Sequence, residues 1–203
     1  MREFKIRCSM ISKIMADAKK AGELSVGAKT YCKEWYLTEK LGVTKEVTSK
    51  YLDKGILMED SAIARYNEFA HKNPHHFEDE FFTGTPDIIT NDLIVDLKCP
   101  YDPFTMPYFE TDFPNMDYWW QLQGYMHLTG KKKAELAYCL EDTPPRNEDW
   151  GKWIRYDHIP DADRIRIFSL EYDPAAIDRV IERVKMCRVY IEQLDNLFSQ
   201  NKP

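Results

Sequence analysis

Apolar residues along the chain switch between helical and strand spacing, and the switches predict the elements. Phe4 to Arg7 reads as a short extended lead, and Ser9 as the N-cap of a helix through Lys19 with Met10, Ile11, Ile14 and Met15 on its apolar face. A loop over 21–26 precedes a second helix, Lys29 to Leu41. A third helical stretch, Thr48 to Ala70, carries Gly55 as the expected place for a bend or a close backbone contact. After Pro74 the texture changes. Phe77 to Phe82 reads as a strand edge, Thr83-Gly84-Thr85 as a turn, Asp87 to Thr90 as a strand, and Leu93 to Lys98 as the next. Asn91-Asp92 between the last two predicts a tight antiparallel hairpin. A helix from Pro114 to Leu128 follows, with Pro114 in its first turn and Gly130 at its exit. Strands over 133–141 and 164–172 and a long amphipathic helix from Pro174 to Ser199 complete the order.

This order predicts an α+β (mixed α/β) fold, a central mixed sheet flanked by helices. A length of 203 residues suits one domain: a mainly helical part over 1–72, a sheet core over 76–173 containing the helix at 114–128, and the C-terminal helix at 174–199. No apolar run is long enough to span a membrane, and Met1-Arg2-Glu3-Phe4-Lys5 is too mixed in charge for a secretory signal. The expectation is a soluble, cytoplasmic protein. Five dispersed cysteines without a Cys-x-x-Cys pair agree with reduced, buried thiols, and with neither a disulfide scaffold nor a zinc ribbon. The histidines have no ligand spacing, and Lys131-Lys132-Lys133 reads first as a solvated turn.

The chemistry is expected at the hairpin. A two-residue turn at Asn91-Asp92 pairs Thr90 with Leu93 and, counting outward, Asp87 with Asp96, so the two carboxylates share a face. Asp96 and Lys98 are two apart on a strand and face the same side, with Leu97 turned into the core. Two carboxylates and one ammonium around a point suit a hard divalent cation such as Mg²⁺, with Mn²⁺ able to substitute and the Leu97 carbonyl as a further ligand. The competing reading is a surface hairpin with solvated charges. Against it, Leu93-Ile94-Val95 and Leu97 make this strand strongly apolar.

Pro86-Asp87, eight residues, then Asp96-x-Lys98 resembles the PD-(D/E)XK nuclease signature. Two further elements extend the resemblance to the lambda exonuclease and YqaJ-like viral recombinase branch. Glu59 on the third helical stretch matches the helix that supplies an acid to the metal centre. Trp120-Gln121-Leu122-Gln123-Gly124-Tyr125 matches the Gln-x-x-x-Tyr element, with Gln121 and Tyr125 on one helical face and Gln123 as a competing candidate. Arg7-Cys8-Ser9 is similar to the segment that brings an arginine and a serine to the 5′-phosphate pocket; a helix cap beside a surface charge explains it equally well.

The resemblance implies a Mg²⁺-dependent exonuclease that digests one strand from linear duplex DNA ends, of phage or prophage origin. It also implies a homo-oligomer, often a trimer, and work beside a single-strand annealing protein in DNA recombination. Catalysis and metal binding would fall to Asp87, Asp96, Lys98, Leu97 and Glu59, and substrate binding to Gln121, Gln123, Tyr125, Arg7 and Ser9. Two alternatives stay open. The net charge of −6 is unlike a nucleic-acid binder and favours a catalytically inactive module that keeps the fold. A RecB-like or CRISPR-adaptation nuclease with an iron–sulfur cluster needs clustered cysteines near the C-terminus, where Cys187 stands alone.

Overall fold

A computed structural model describes residues 1–45, 49–145 and 151–200. It contains two mixed sheets with helices on their faces, an α+β architecture. The four-stranded sheet has the order β4-β5-β6-β7, formed by β4 (Ile88–Ile89), β5 (Leu93–Lys98), β6 (Lys133–Cys139) and β7 (Ile165–Glu171). β5 and β6 run parallel, joined by a crossover that contains α5 (Met116–Thr129), and the other pairs are antiparallel. A three-stranded sheet, β1-β3-β2, is additional to the single central sheet expected. It consists of β1 (Ile6–Arg7), β2 (Phe77–Glu78) and β3 (Phe82–Gly84).

Strand alternation distributes β5 between two apolar layers. Ile94 joins the larger core, with Leu122 and Met126 of α5 and Val180 and Val184 of α6 (Pro174–Gln200). Val95 and Leu97 face the other way, onto Ala62 and Ile63 of α4 (Glu59–Tyr66). Asp96 has the parity of Ile94 and so sits beneath α5.

Several local expectations need correction. The predicted Ser9-capped helix to Lys19 is a 3-10 turn, Cys8–Met10, followed by the short α1, Ile11–Met15. It stops where Ala16 becomes extended; the run after it, 16–23, holds no apolar residue larger than alanine to continue the buried face. α2 (Val26–Leu41) starts three residues earlier than expected, since the Ser25 hydroxyl accepts from Ala28 N. The third helical stretch divides into α3 (Lys50–Leu57) and α4; its bend is at Met58 (φ −100°, ψ 7°) rather than Gly55, and Thr48 lies outside the described residues. The expected edge from Phe77 to Phe82 is a hairpin. The Asp79 carboxylate accepts from Phe81 N and Phe82 N and reverses the chain, so the expected turn residues Thr83 and Gly84 are strand. Pro114 lies before α5, whose cap is Asn115. Lys131 donates to Asn91 O and Lys132 covers the Tyr172 ring, which places two of the clustered lysines in structural contacts.

Gly124 lets α5 approach the 3-10 turn and α1. A Cβ there would stand 2.7 Å from Ile11 Cδ1 and 2.8 Å from Cys8 Sγ, both buried. Overpacking of this kind costs about 1–3 kcal/mol, against a helix-propensity gain of at most about 1. Gly124→Ala is therefore expected to lower the denaturant midpoint with an unchanged m-value.

Candidate active site

The hairpin register is the one the turn predicts. Ile88 pairs with Val95 and Ile89 with Ile94, and Thr90 N donates to Leu93 O. Counting outward sets Asp87 opposite Asp96. Asn73, itself buried, fixes the approach: its backbone N–H donates to Asp87 O and its amide to Pro86 O. The Asp87 carboxylate then accepts from Leu97 N at 2.7 Å.

Asp96 is 1% exposed. Its Oδ1 accepts from Gln121 Nε2 at 2.8 Å, and its Oδ2 stands 2.5 Å from Lys98 Nζ. Oδ2 is buried, and the group against it is that ammonium. The Tyr118 ring lies under the same ammonium, 4.5 Å from centroid to Nζ. Burial works against the charge on Lys98, but Asp96 and Asp87 outweigh it and hold its pKa above the ordinary lysine value. At Asp87 burial comes first and the Asp96 charge second; together they push the carboxyl up to about 7, against the Leu97 N–H and Lys98.

These groups line one cleft of about 590 Å³. Glu59 enters it from the start of α4 and is paired with Lys72 at 2.6 Å. Leu97 also borders it, its N–H taken up by Asp87. α3 supplies one wall through Tyr51, Leu52, Gly55 and Ile56; Tyr101, Tyr118 and Tyr138 add further aromatic surface. Sequence reasoning missed these tyrosines. Tyr118 had a signal, standing three residues before Gln121 and so on its helical face.

The remaining candidates are elsewhere. Gln123 is fully buried, donating to Glu171 O and accepting from Asp173 N, and thus ties α5 to the β7–α6 connection. Tyr125 is outside the cleft; its hydroxyl accepts from Gln121 and its ring packs on Gly84. Arg7 and Ser9 are exposed and do not border the cleft, and Ser9 makes no cap. His127 bridges Asp79 and Tyr172, and His76 bridges Thr83 and Thr85.

Among the described residues no three His, Cys, Asp or Glu side chains are grouped so as to hold a metal unaided. The donor set still fits Mg²⁺, which takes one or two carboxylates and completes its octahedron with water and phosphate oxygens. The buried Asp96 carboxylate, with the Asp87 carboxylate facing it across the hairpin, offers the hard oxygens such an ion needs.

The raised Asp87 pKa has a consequence for the metal-free protein. Between about pH 4 and 7 the folded chain binds more protons at Asp87 than the unfolded chain, so this contribution to stability is lost as pH rises through 7. A thermal melt in chelator is expected to show this loss from pH 5 to pH 8, and Asp87→Asn to abolish it.

No protein-family model and no curated protein sequence matches the chain. Solved structures do. The fold is similar to a phage-related exonuclease from Haemophilus somnus 129PT, with a TM-score of 0.84 and 28% identity over 97% of each chain. It is also similar to an alkaline exonuclease, LHK-Exo, from Laribacter hongkongensis (TM-score 0.73, 19% identity, 98% of this chain and 95% of that one). LHK-Exo in complex with dAMP gives the same TM-score at 20% identity. In fold and order of elements the chain is thus similar to exonucleases, which is consistent with the resemblance to the PD-(D/E)XK nuclease superfamily carried by Asp87, Asp96 and Lys98. The same neighbours are consistent with the narrower resemblance to the lambda exonuclease and YqaJ-like branch.

Proposed function

We propose that the protein is a metal-dependent DNA exonuclease that hydrolyses phosphodiester bonds from the ends of linear duplexes, with the 5′-to-3′ polarity of phage recombination nucleases. The observation that carries this reading is the group of Asp87, Asp96, Lys98 and Gln121 in one cleft, on a fold that matches a phage-related exonuclease over 97% of both chains.

Asp87 and Asp96 would hold Mg²⁺, with Glu59 and the Leu97 carbonyl at its margin. The ion, when bound, supplies a Lewis acid for the phosphate and an activated water. Lys98, charged and fixed between Asp96 and the Tyr118 face, offers its ammonium to the oxygen that attacks or to the charge developing on phosphorus. Gln121 holds Asp96 in one rotamer. The tyrosines present flat faces on which an unpaired base stacks. By analogy with the branch, the protein would act as a homo-oligomer, often a trimer there, beside a single-strand annealing protein. Among the described residues no helix is long and apolar enough to cross a membrane.

The test is nucleotide release from 5′-phosphorylated linear duplex, compared with closed circular DNA, in Mg²⁺, Mn²⁺ or chelator. Release from the linear substrate alone, lost in chelator, is expected. No release with either ion would overturn the reading in favour of an inactive module that keeps the fold, the alternative to which the net charge of −6 points.

A further inference from the structure

α3 forms a wall of the cleft, yet hydrophobic burial does not hold it there. Tyr51, Leu52, Ile56 and Leu57 are each about half exposed or more. Eight residues are too few for a helix to persist on its own propensity. Among the described α3 side chains the buried one is Lys54, which is 0% exposed.

Its ammonium sits in a cage of oxygens drawn from two other segments. Nζ donates to Pro100 O at 2.7 Å and Tyr101 O at 3.0 Å, both just after β5. It also reaches Glu141 O at 2.6 Å and Thr143 Oγ1 at 3.0 Å, just after β6. The Thr143 hydroxyl donates onward to Tyr101 O, and the Tyr101 and Tyr156 rings lie 6.0 and 5.6 Å from Nζ. Three carbonyls and a hydroxyl converging on one point, with aromatic faces beside them, form a cation-binding environment. Here the cation is attached to α3 by its side chain.

We propose that the Lys54 ammonium is a tethered internal cation that clamps α3 to the ends of β5 and β6, which makes Lys54 a positioning residue for the cleft. Only the kinetic arm of the test rests on the exonuclease reading. Lys54 touches none of the catalytic candidates; it acts through the α3 wall and through the turn at Met58 that leads into Glu59. Removing it leaves buried carbonyls without a donor and α3 without an anchor.

The test compares Lys54→Ala and Lys54→Met at pH 7 by hydrogen exchange across 50–57 and by turnover on linear duplex. Both variants should exchange about tenfold faster or more in α3, with β5 and β6 protection retained, and should lose turnover in parallel. A freely diffusing ammonium ion can fill the cage of the alanine variant but has no tether to α3, so α3 exchange should stay as fast in ammonium as in tetramethylammonium at the same ionic strength. Wild-type α3 exchange in the methionine variant, or recovery of wild-type α3 protection in the alanine variant on adding free ammonium, overturns the proposal; if the alanine variant does not fold, the methionine variant decides. If the wild-type protein releases no nucleotides, the exonuclease reading fails and the exchange arm still decides the clamp.

Discussion

Asp96→Asn is expected to reduce Mg²⁺-dependent nucleotide release by at least about a thousandfold, or about 4 kcal/mol of barrier, while far-UV circular dichroism stays that of the native fold. The substitution keeps the shape of the side chain, and an amide still has an oxygen to accept from Gln121 Nε2. What it removes is the negative charge and the buried carboxylate oxygen Oδ2 beside Lys98. Isothermal titration of Mg²⁺ gives the independent check, since the variant should lose binding along with turnover. Wild-type rates in this variant would remove the proposed site.

Lys98→Met should lower turnover by about 10²–10⁴-fold, the range found when one electrostatic or proton-handling group is taken from an active site. Its effect on stability should differ from that of Asp96→Asn. Methionine fills the volume against Tyr118 but leaves Asp96 and Asp87 facing each other without a cation. Two neighbouring carboxylates cannot both stay ionised, so the Asp87 carboxyl is pushed further up. In chelator above pH 7 the variant should be less stable by roughly 3 kcal/mol, and Mg²⁺ should recover much of that loss by standing in for the missing charge. A melt with and without the ion measures both effects.

The central pair of strands could be read before any coordinates because two rules of small arithmetic meet there. A two-residue turn fixes which residues face each other, and strand alternation fixes which share a side. Asp87, Asp96 and Lys98 follow from those rules alone. The glutamines did not separate so readily. α5 is buried along most of its circumference, so Gln121 and Gln123 look equivalent by apolar pattern; what distinguishes them is that one meets Asp96 and the other the backbone at 171–173. The break at Met58 was invisible for a similar reason. Apolar spacing runs through it without interruption, and the change of direction comes from contacts distant in sequence, Lys54 on one side and Ala62 and Ile63 on the other. β2 and β3 pair over two residues each, too few for alternation to show. Arg7 and Ser9 rest on local resemblance alone; both are exposed and neither borders the cleft that holds Asp87 and Asp96.

β4 is an edge strand with two paired residues, and Asp87 lies just beyond its end, held by one backbone donor on the neighbouring strand and by Asn73. A short rim of this kind opens and recloses far more often than the interior strands do. One of the two carboxylates proposed to grip the cation is thus mounted on the least secured part of the sheet. Under that reading, filling of the site and tightening of the rim are a single equilibrium: the ion selects the closed rim, and a proton at residue 87 competes with the ion for the same carboxylate.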